Sequence, residues 1–136
     1  MAVVFMNAGL DKLTQIILRK LTAVDYKVHL YVNNLTPLVT SVIGDFTECT
    51  LAGYAAASLT GGNWTGSTTG GVATYNYPAI AYTFSAYAGG TTIYGYYVSD
   101  SSSTYAIWAE LFGTSFAVPA GGGELDLSLQ WVDKLC

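Results

Sequence analysis

The spacing of apolar positions changes once along the chain, near residue 25. In "AGLDKLTQIILRKLTAV", residues 8 to 24, Leu10, Leu13, Ile17, Leu21 and Val24 recur at three- and four-residue intervals, with Asp11, Lys12, Gln15, Arg19 and Lys20 largely elsewhere. That period predicts an amphipathic helix with Asn7 as its N-cap. Ile16 and Leu18 widen the apolar arc, so the helix has surface for more than one neighbour. From Tyr26 the period drops to 2. In "KVHLYVNN", Val28, Leu30 and Val32 alternate with Lys27, His29 and Tyr31, the mark of a strand with one face buried, closed by Asn33, Asn34 and Pro37.

Short apolar runs separated by turn residues follow: "LVTSVI", "TLAGYAAASL", "VATYNY", "IAYTFSAY", "TTIYGYYV" and "TYAIWAELF". A last run, "ELDLSLQWVD", sends Leu125, Leu127, Leu129 and Trp131 inward and Glu124, Asp126, Ser128 and Gln130 outward. About eight short strands at this spacing predict a mainly β fold, an antiparallel β-sandwich or barrel. The division is an N-terminal arm and helix, residues 1–25, and a β domain, residues 26–136. No alternation of strands with helices points to a parallel nucleotide-binding sheet. "TGGNWTGSTTGG", residues 60 to 71, reads as an extended loop anchored by Trp64.

Two of these strands have no polar face. In "TIYGYYVSD" strict alternation puts Ile93, Gly95 and Tyr97 on one side and Tyr94, Tyr96 and Val98 on the other; in "TYAIWAELF" Tyr105, Ile107 and Leu111 oppose Trp108 and Phe112. An antiparallel sheet of a lone monomer usually shows one polar face to water. The cover is the helix, a neighbouring subunit, or a flat ligand. Tyrosine suits interfaces because its ring buries area while its hydroxyl keeps a hydrogen bond. Subunit contact is therefore expected, through Leu10, Leu13, Ile17, Leu21, Tyr94, Tyr96, Trp108 and Phe112. Under a ligand-stacking alternative, Trp64, Tyr75 and Tyr77 would carry a sugar ring.

Composition supports association and narrows the partners. Charged residues are 10% of the chain, against about 25% in ordinary domains, and none lies between Glu48 and Asp100. Permanent interfaces are depleted of charge in the same way. The net charge of −4 divides into +2 over the first 27 residues and −6 over the rest. Without clustered Lys and Arg, no nucleic acid partner is expected. No run of about 20 apolar residues predicts a membrane span, and "MAVVFMNAGLDK" lacks the basic start of a secretory signal. Cys49 and Cys136 form no CxxC pair; Cys49 is expected half-buried and the terminal Cys136 loose.

Candidate chemistry is sparse. A nucleophilic triad needs a base beside Ser or Cys. The one histidine, His29, falls on the outward side of its strand pattern with no carboxylate near it in sequence. The glycine-rich stretches lead into strand patterns and lack the Lys-Ser/Thr of a phosphate loop. Asp45, Glu48, Asp100 and Glu110 could supply a glycosidase pair, but nothing selects two of them. Neither catalysis, a metal nor a cofactor is expected.

The order of "VHLYVNNLTP", "DFTECTLAGYAAASLTGGNWT", "YTFSA", "IYGYYVSD" and "IWAELF" resembles a group of small structural proteins of tailed bacteriophages. The resemblance implies a jelly-roll-like sandwich. It implies a virion component made in the host cytoplasm: a head decoration or cement protein, or part of a fibre or tail appendage. It also implies a homo-oligomer, a trimer by analogy, that contacts other virion proteins such as a major capsid protein. It brings no catalytic residues. "MAVVF" and the helix, which hold the only positive excess, are the expected shell-docking segment.

Overall fold

A computed structural model of the chain describes residues 3–20, 22–85 and 90–134. In chain order the elements are β1 (Val4–Phe5), α1 (Asn7–Ile17), β2 (Tyr26–Tyr31), β3 (Ala57–Leu59), β4 (Thr65–Thr69), β5 (Val72–Asn76), β6 (Ile80–Phe84), β7 (Thr91–Asp100), β8 (Ala106–Val118), β9 (Gly123–Leu127) and β10 (Gln130–Lys134). The fold is mainly β with one helix. A five-stranded sheet runs β1-β8-β7-β2-β3, a three-stranded one β10-β5-β4, and a two-stranded one β6-β9. Every described pairing within these sheets is antiparallel.

The main core gathers Val28 and Leu30 of β2, Tyr82 and Phe84 of β6, Ile93, Tyr96 and Val98 of β7, Ile107 and Trp108 of β8, and Leu127 and Leu129. It lies on one face of the five-stranded sheet, and residues of the smaller sheets close it. The opposite face has its own core: Met6, Tyr31, Phe46, Tyr97, Ala106 and Ala109, with Leu35, Ile43, Tyr94 and Leu111 at its edge. Its cover comes from the same chain. Phe46 stacks on Tyr97 at 4.8 Å and tilts against Tyr31 at 5.2 Å. The Tyr31 hydroxyl donates to the Leu35 carbonyl at 3.1 Å. The segment from Val32 to Phe46 thus takes the place expected of a second subunit. Its "LVTSVI" stretch, residues 38–43, is not the strand that was expected: it turns at residues 39–40 and leads into a 3₁₀ turn at Ile43–Asp45.

The alternation of β7 breaks where the register with β8 shifts between Ile93 and Gly95. Past the irregularity Tyr96 and Val98 share the main core with Ile93, while Tyr94 joins Tyr97 in the second. Tyr94 and Tyr96 therefore face opposite sides, a correction to strict alternation: an irregular ladder moves each following side chain to the other face.

Helix α1 is shorter than its periodicity predicts, ending at Ile17, with Met6 and not Asn7 at the N-cap. Gly9 is its buried residue, Leu13 packs on the main core, and Leu10 and Ile17 are 47% and 80% exposed. The seated face is rotated away from the predicted stripe because Gly9 lets the helix backbone rest on Ile107 of β8. Arm residues Val4 and Phe5 pair with Ala109 and Trp108 as β1. Leu21 and Cys136 lie outside the described residues.

Two other expectations change. The stretch from 60 to 71 is a short 3₁₀ turn at Gly61–Asn63 followed by β4. The β4–β5 hairpin closes on Gly70 and Gly71, both at positive φ; a two-residue loop of that kind matches strand twist and is readily formed by glycine pairs. "ELDLSLQWVD" alternates as predicted, but Ser128 and Leu129 divide it between β9 and β10, which belong to different sheets.

Candidate functional site

The three tryptophans converge. Trp131 of β10 stands directly across from Tyr75 of β5, and Trp64 enters from the turn before β4. Trp108 of β8 forms the floor at 4% exposure. Tyr26 meets Trp108 edge to face at 6.0 Å and 81°, and Trp108 meets Trp131 at 5.4 Å and 83°. Phe5 braces both, 6.0 Å from Trp108 and 5.0 Å from Trp131. Between these rings and Leu13 of α1 lies a cleft of about 280 Å³, lined by Leu13, Tyr26, Trp64, Tyr75, Trp108 and Trp131. A cavity of about 270 Å³ with the same three tryptophans adjoins it on the side of Phe5 and Gln130. On the other side a groove of about 290 Å³ continues along α1 past Leu10, Leu13, Ile17, Trp131, Val132 and Asp133.

Of the ligand-stacking candidates, Trp64 and Tyr75 share the cleft, and Tyr77 does not line it. Tyr77 is 9% exposed. Its hydroxyl accepts from the Thr60 N–H at 3.0 Å and Asn63 Nδ2 at 3.2 Å and donates to the Ser58 carbonyl at 3.4 Å. It fastens the turn and supports Trp64 edge to face at 5.1 Å. Of the interface candidates, Tyr96 and Trp108 are core residues at 3% and 4% exposure, a correction that follows from the chain covering its own sheet. Tyr94 and Phe112 are half-buried, and Leu13 is packed inward. Leu10 and Ile17 remain on the surface, joined by Leu18, Leu38, Val39, Val42 and Val132, each more than half exposed.

A second constellation was missed. His29 is 3% exposed, not outward. Its Nδ1 lies 2.8 Å from Glu48 Oε1, its Nε2 lies 2.9 Å from Ser99 Oγ, and its ring stacks on Tyr97 at 4.6 Å. The side called outward by alternation is the second buried face. Glu48 arrives through the bridge that pairs it with Tyr31, and such a contact leaves no local trace in sequence. Ser, His and Glu thus stand in triad order, yet their arrangement does not fit nucleophilic attack. Ser99 is fully buried, and its hydroxyl donates to the Asp100 carbonyl at 2.9 Å. In the tautomer that gives Nδ1–H to the Glu48 carboxylate, Nε2 is an acceptor, and it competes with the Asp100 carbonyl for the single Ser99 proton; what keeps Ser99 from attacking a substrate is its complete burial. Glu48 also accepts from the Tyr54 hydroxyl at 2.9 Å. Burial first, and the Glu48 charge after it, push Tyr54 and Tyr97 well above the ordinary phenol range. The cluster fastens β2, β7 and the crossing segment together.

Of the other carboxylates singled out in the sequence, Asp45, Asp100 and Glu110 are engaged in the fold; Asp45 Oδ2 accepts the Val42 N–H at 2.8 Å. Glu110 Oε2 accepts from the Tyr96 hydroxyl at 2.9 Å. Asp100 accepts backbone N–H groups of Ser102, Thr104 and Tyr105 and closes the β7–β8 turn. Cys49 is 2% exposed, more buried than expected, and burial pushes its thiol up. Among the described residues no group of three His, Cys, Asp or Glu side chains could hold a metal ion, and no helix is long and apolar enough to cross a membrane. No protein-family model, curated protein or solved structure matches this chain.

Proposed function

We propose that this chain is a non-enzymatic structural component of a bacteriophage particle. Its role would be that of a capsid decoration or cement protein, acting by self-association and adhesion to the shell. The observation that carries the docking part is the outward face of α1. Leu10, Ile17 and Leu18 stand in water at 47%, 80% and 65% exposure, next to the groove that ends at Trp131 and Val132. Lys12, Arg19 and Lys20 on the same segment give it the chain's positive excess, suited to an acidic patch on a partner. Each large apolar side chain fully buried contributes about 1.5–3 kcal/mol, and repetition over a symmetric shell adds avidity without a strong single site. The particle itself, the jelly-roll-like reading of the antiparallel sheets, the trimer and the major capsid protein as partner rest on the resemblance of the strand segments.

The test is co-sedimentation with empty capsids of the matching phage, alongside light scattering of the isolated protein. Leu10→Glu/Ile17→Glu should fold, because both positions are exposed, and should lose shell binding and self-association. A wild-type chain that stays at 14.4 kDa at high concentration and ignores capsids would refute the proposal.

A second reading is favoured by one observation: Trp64 and Tyr75, brought side by side by the β4–β5 hairpin, line one cleft. On that reading the chain is a carbohydrate- or receptor-binding module of a fibre or tail appendage. Saturable binding on a glycan array or to host cells, abolished in Trp64→Ala, supports it; binding unaffected by that substitution removes it.

A further inference from the structure

We infer that the cleft formed by Tyr26, Trp64, Tyr75, Trp108 and Trp131 is an aromatic cage for a quaternary ammonium group. The inference deepens the ligand-binding reading, replacing a sugar by a cation, and is separate from the docking of α1. Ring orientation is the first ground. Tyr26, Trp108 and Trp131 are set consecutively at 81° and 83°, with centroids 6.0 Å and 5.4 Å apart. A rounded cation is held by several rings at an angle to one another, each offering its electron-rich face within about 6 Å; a flat sugar needs one open platform.

The lining is the second ground. Its six lining residues are five aromatic side chains and Leu13, and the surface they expose into it is almost wholly apolar. A sugar brings several hydroxyls that must each find a partner on leaving water. The one amide that lines the adjoining cavity, Gln130, already gives its Nε2 to Asn76 Oδ1 at 2.9 Å. A tetraalkylammonium ion has no hydrogen bonds to lose, so a wall almost without polar atoms suits it. At about 280 Å³ the cleft sits at the bottom of the size range of small-molecule pockets, roughly 300–1,000 Å³, which fits a head group better than an oligosaccharide.

Charge is the third. Asp133 borders the groove that shares Leu13 and Trp131 with the cage, and the chain is acidic overall. The helix cation beside Leu13, Lys12, is placed over Tyr105, 5.8 Å from the ring centroid, and is not among the residues lining the cleft. The ligand class is therefore a choline-type ammonium, displayed on a lipid head group or carried by a small molecule.

All three tryptophans line the cleft, so intrinsic fluorescence reports occupancy directly. Titration of the full chain with choline and with tetramethylammonium should give a saturable change. The neutral analogue of choline, in which carbon replaces the nitrogen, should bind at least about tenfold more weakly. Tyr75→Ala, at a wall residue already 38% exposed, should keep the fold and weaken choline about tenfold, whereas Val42→Ser, at an exposed residue that lines neither the cleft nor the groove beside it, should leave choline binding unchanged. Equal binding of choline and its neutral analogue overturns the cage in favour of a plain apolar pocket, and no response to choline overturns it outright. Vesicles separate the sources: sedimentation with phosphatidylcholine but not phosphatidylglycerol assigns a lipid head group, and choline binding without vesicle binding assigns a soluble ligand. Capsid binding is unaffected by any of these results, so a failure here and a failure of the docking proposal are told apart.

Discussion

Gly9→Ala tests whether α1 belongs to this chain's own sheet. A methyl group there would land on the Ile107 backbone, against its Cα, 2.5 Å from its oxygen and 2.8 Å from its carbonyl carbon. These atoms cannot rotate away as a side-chain tip could, and the same Ile107 oxygen accepts the Met6 N–H at 3.0 Å. The helix must lift, which costs about 3 kcal/mol as overpacking and endangers a hydrogen bond worth about 1 kcal/mol. Alanine returns about 1 kcal/mol of helix propensity relative to glycine. The net loss is about 3 kcal/mol, close to a 10 °C fall in melting temperature for a chain of this size. Ala8→Gly, exposed on the same helix, is the control and should cost only about 1 kcal/mol. Urea unfolding at neutral pH measures both. If Gly9→Ala proves neutral or stabilising, the helix does not sit on β8, and the account of the exposed stripe fails.

Three further outcomes follow from the buried polar groups. Burial raises the Asp100 carboxyl, but N–H donation from Tyr105, Thr104 and Ser102 outweighs it and the net shift is downward; its stabilisation is present above the unfolded value, about pH 3.9, and disappears as pH falls through the lower folded value. Asp100→Ala should cost about 2–3 kcal/mol at pH 7, and a loss independent of pH in the acid range would contradict this. At the other end, burial first and the Glu110 charge second push Tyr31 up to about 12, so its contribution is complete below about pH 10 and is lost as pH rises through the folded value. Urea midpoints should hold to about pH 10 and then fall steeply, with Tyr82 and Tyr96 acting in the same direction; a flat profile through the alkaline range refutes this. His29→Ala should cost about 2–4 kcal/mol by leaving Ser99 and Glu48 short of a partner, and Ser99 should resist fluorophosphonate labelling in the native protein. Rapid labelling lost on heating would show a working nucleophile.

How far the site could be read from sequence depends on the range of the contact involved. The cleft was half legible. Of the expected stacking residues Trp64, Tyr75 and Tyr77 the first two line it, but Trp131 was assigned to the core. Its place opposite Tyr75 follows from the pairing of β10 with β5, which joins segments more than fifty residues apart. Tyr77 carries the same local signal as Tyr75 and serves a different purpose, decided by three hydrogen bonds to the turn at residues 58–63. The hairpin after Trp64 did carry a signal, the Gly70–Gly71 pair between threonine-rich and β-branched runs, which marks a two-residue loop.

By itself the sequence determined the local periods: a helix near the start, alternation in β2 and from Glu124 to Gln130, and a chain too rich in strand-forming residues to be anything but mainly β. These survive because side-chain direction within an element is fixed by backbone geometry alone. Tertiary structure decided which surfaces meet water. The segment from Val32 to Phe46 folds over β2 and β7, so His29 is buried and the aromatic surplus of β7 is sheltered within the chain. The irregularity between Ile93 and Gly95 sends Tyr94 and Tyr96 apart, and a single glycine turns α1 so that Leu10 and Ile17 of its apolar stripe face outward while Leu13 packs inward. Each is a contact between distant segments, whose energy depends on shape and not on the pattern of neighbours along the chain.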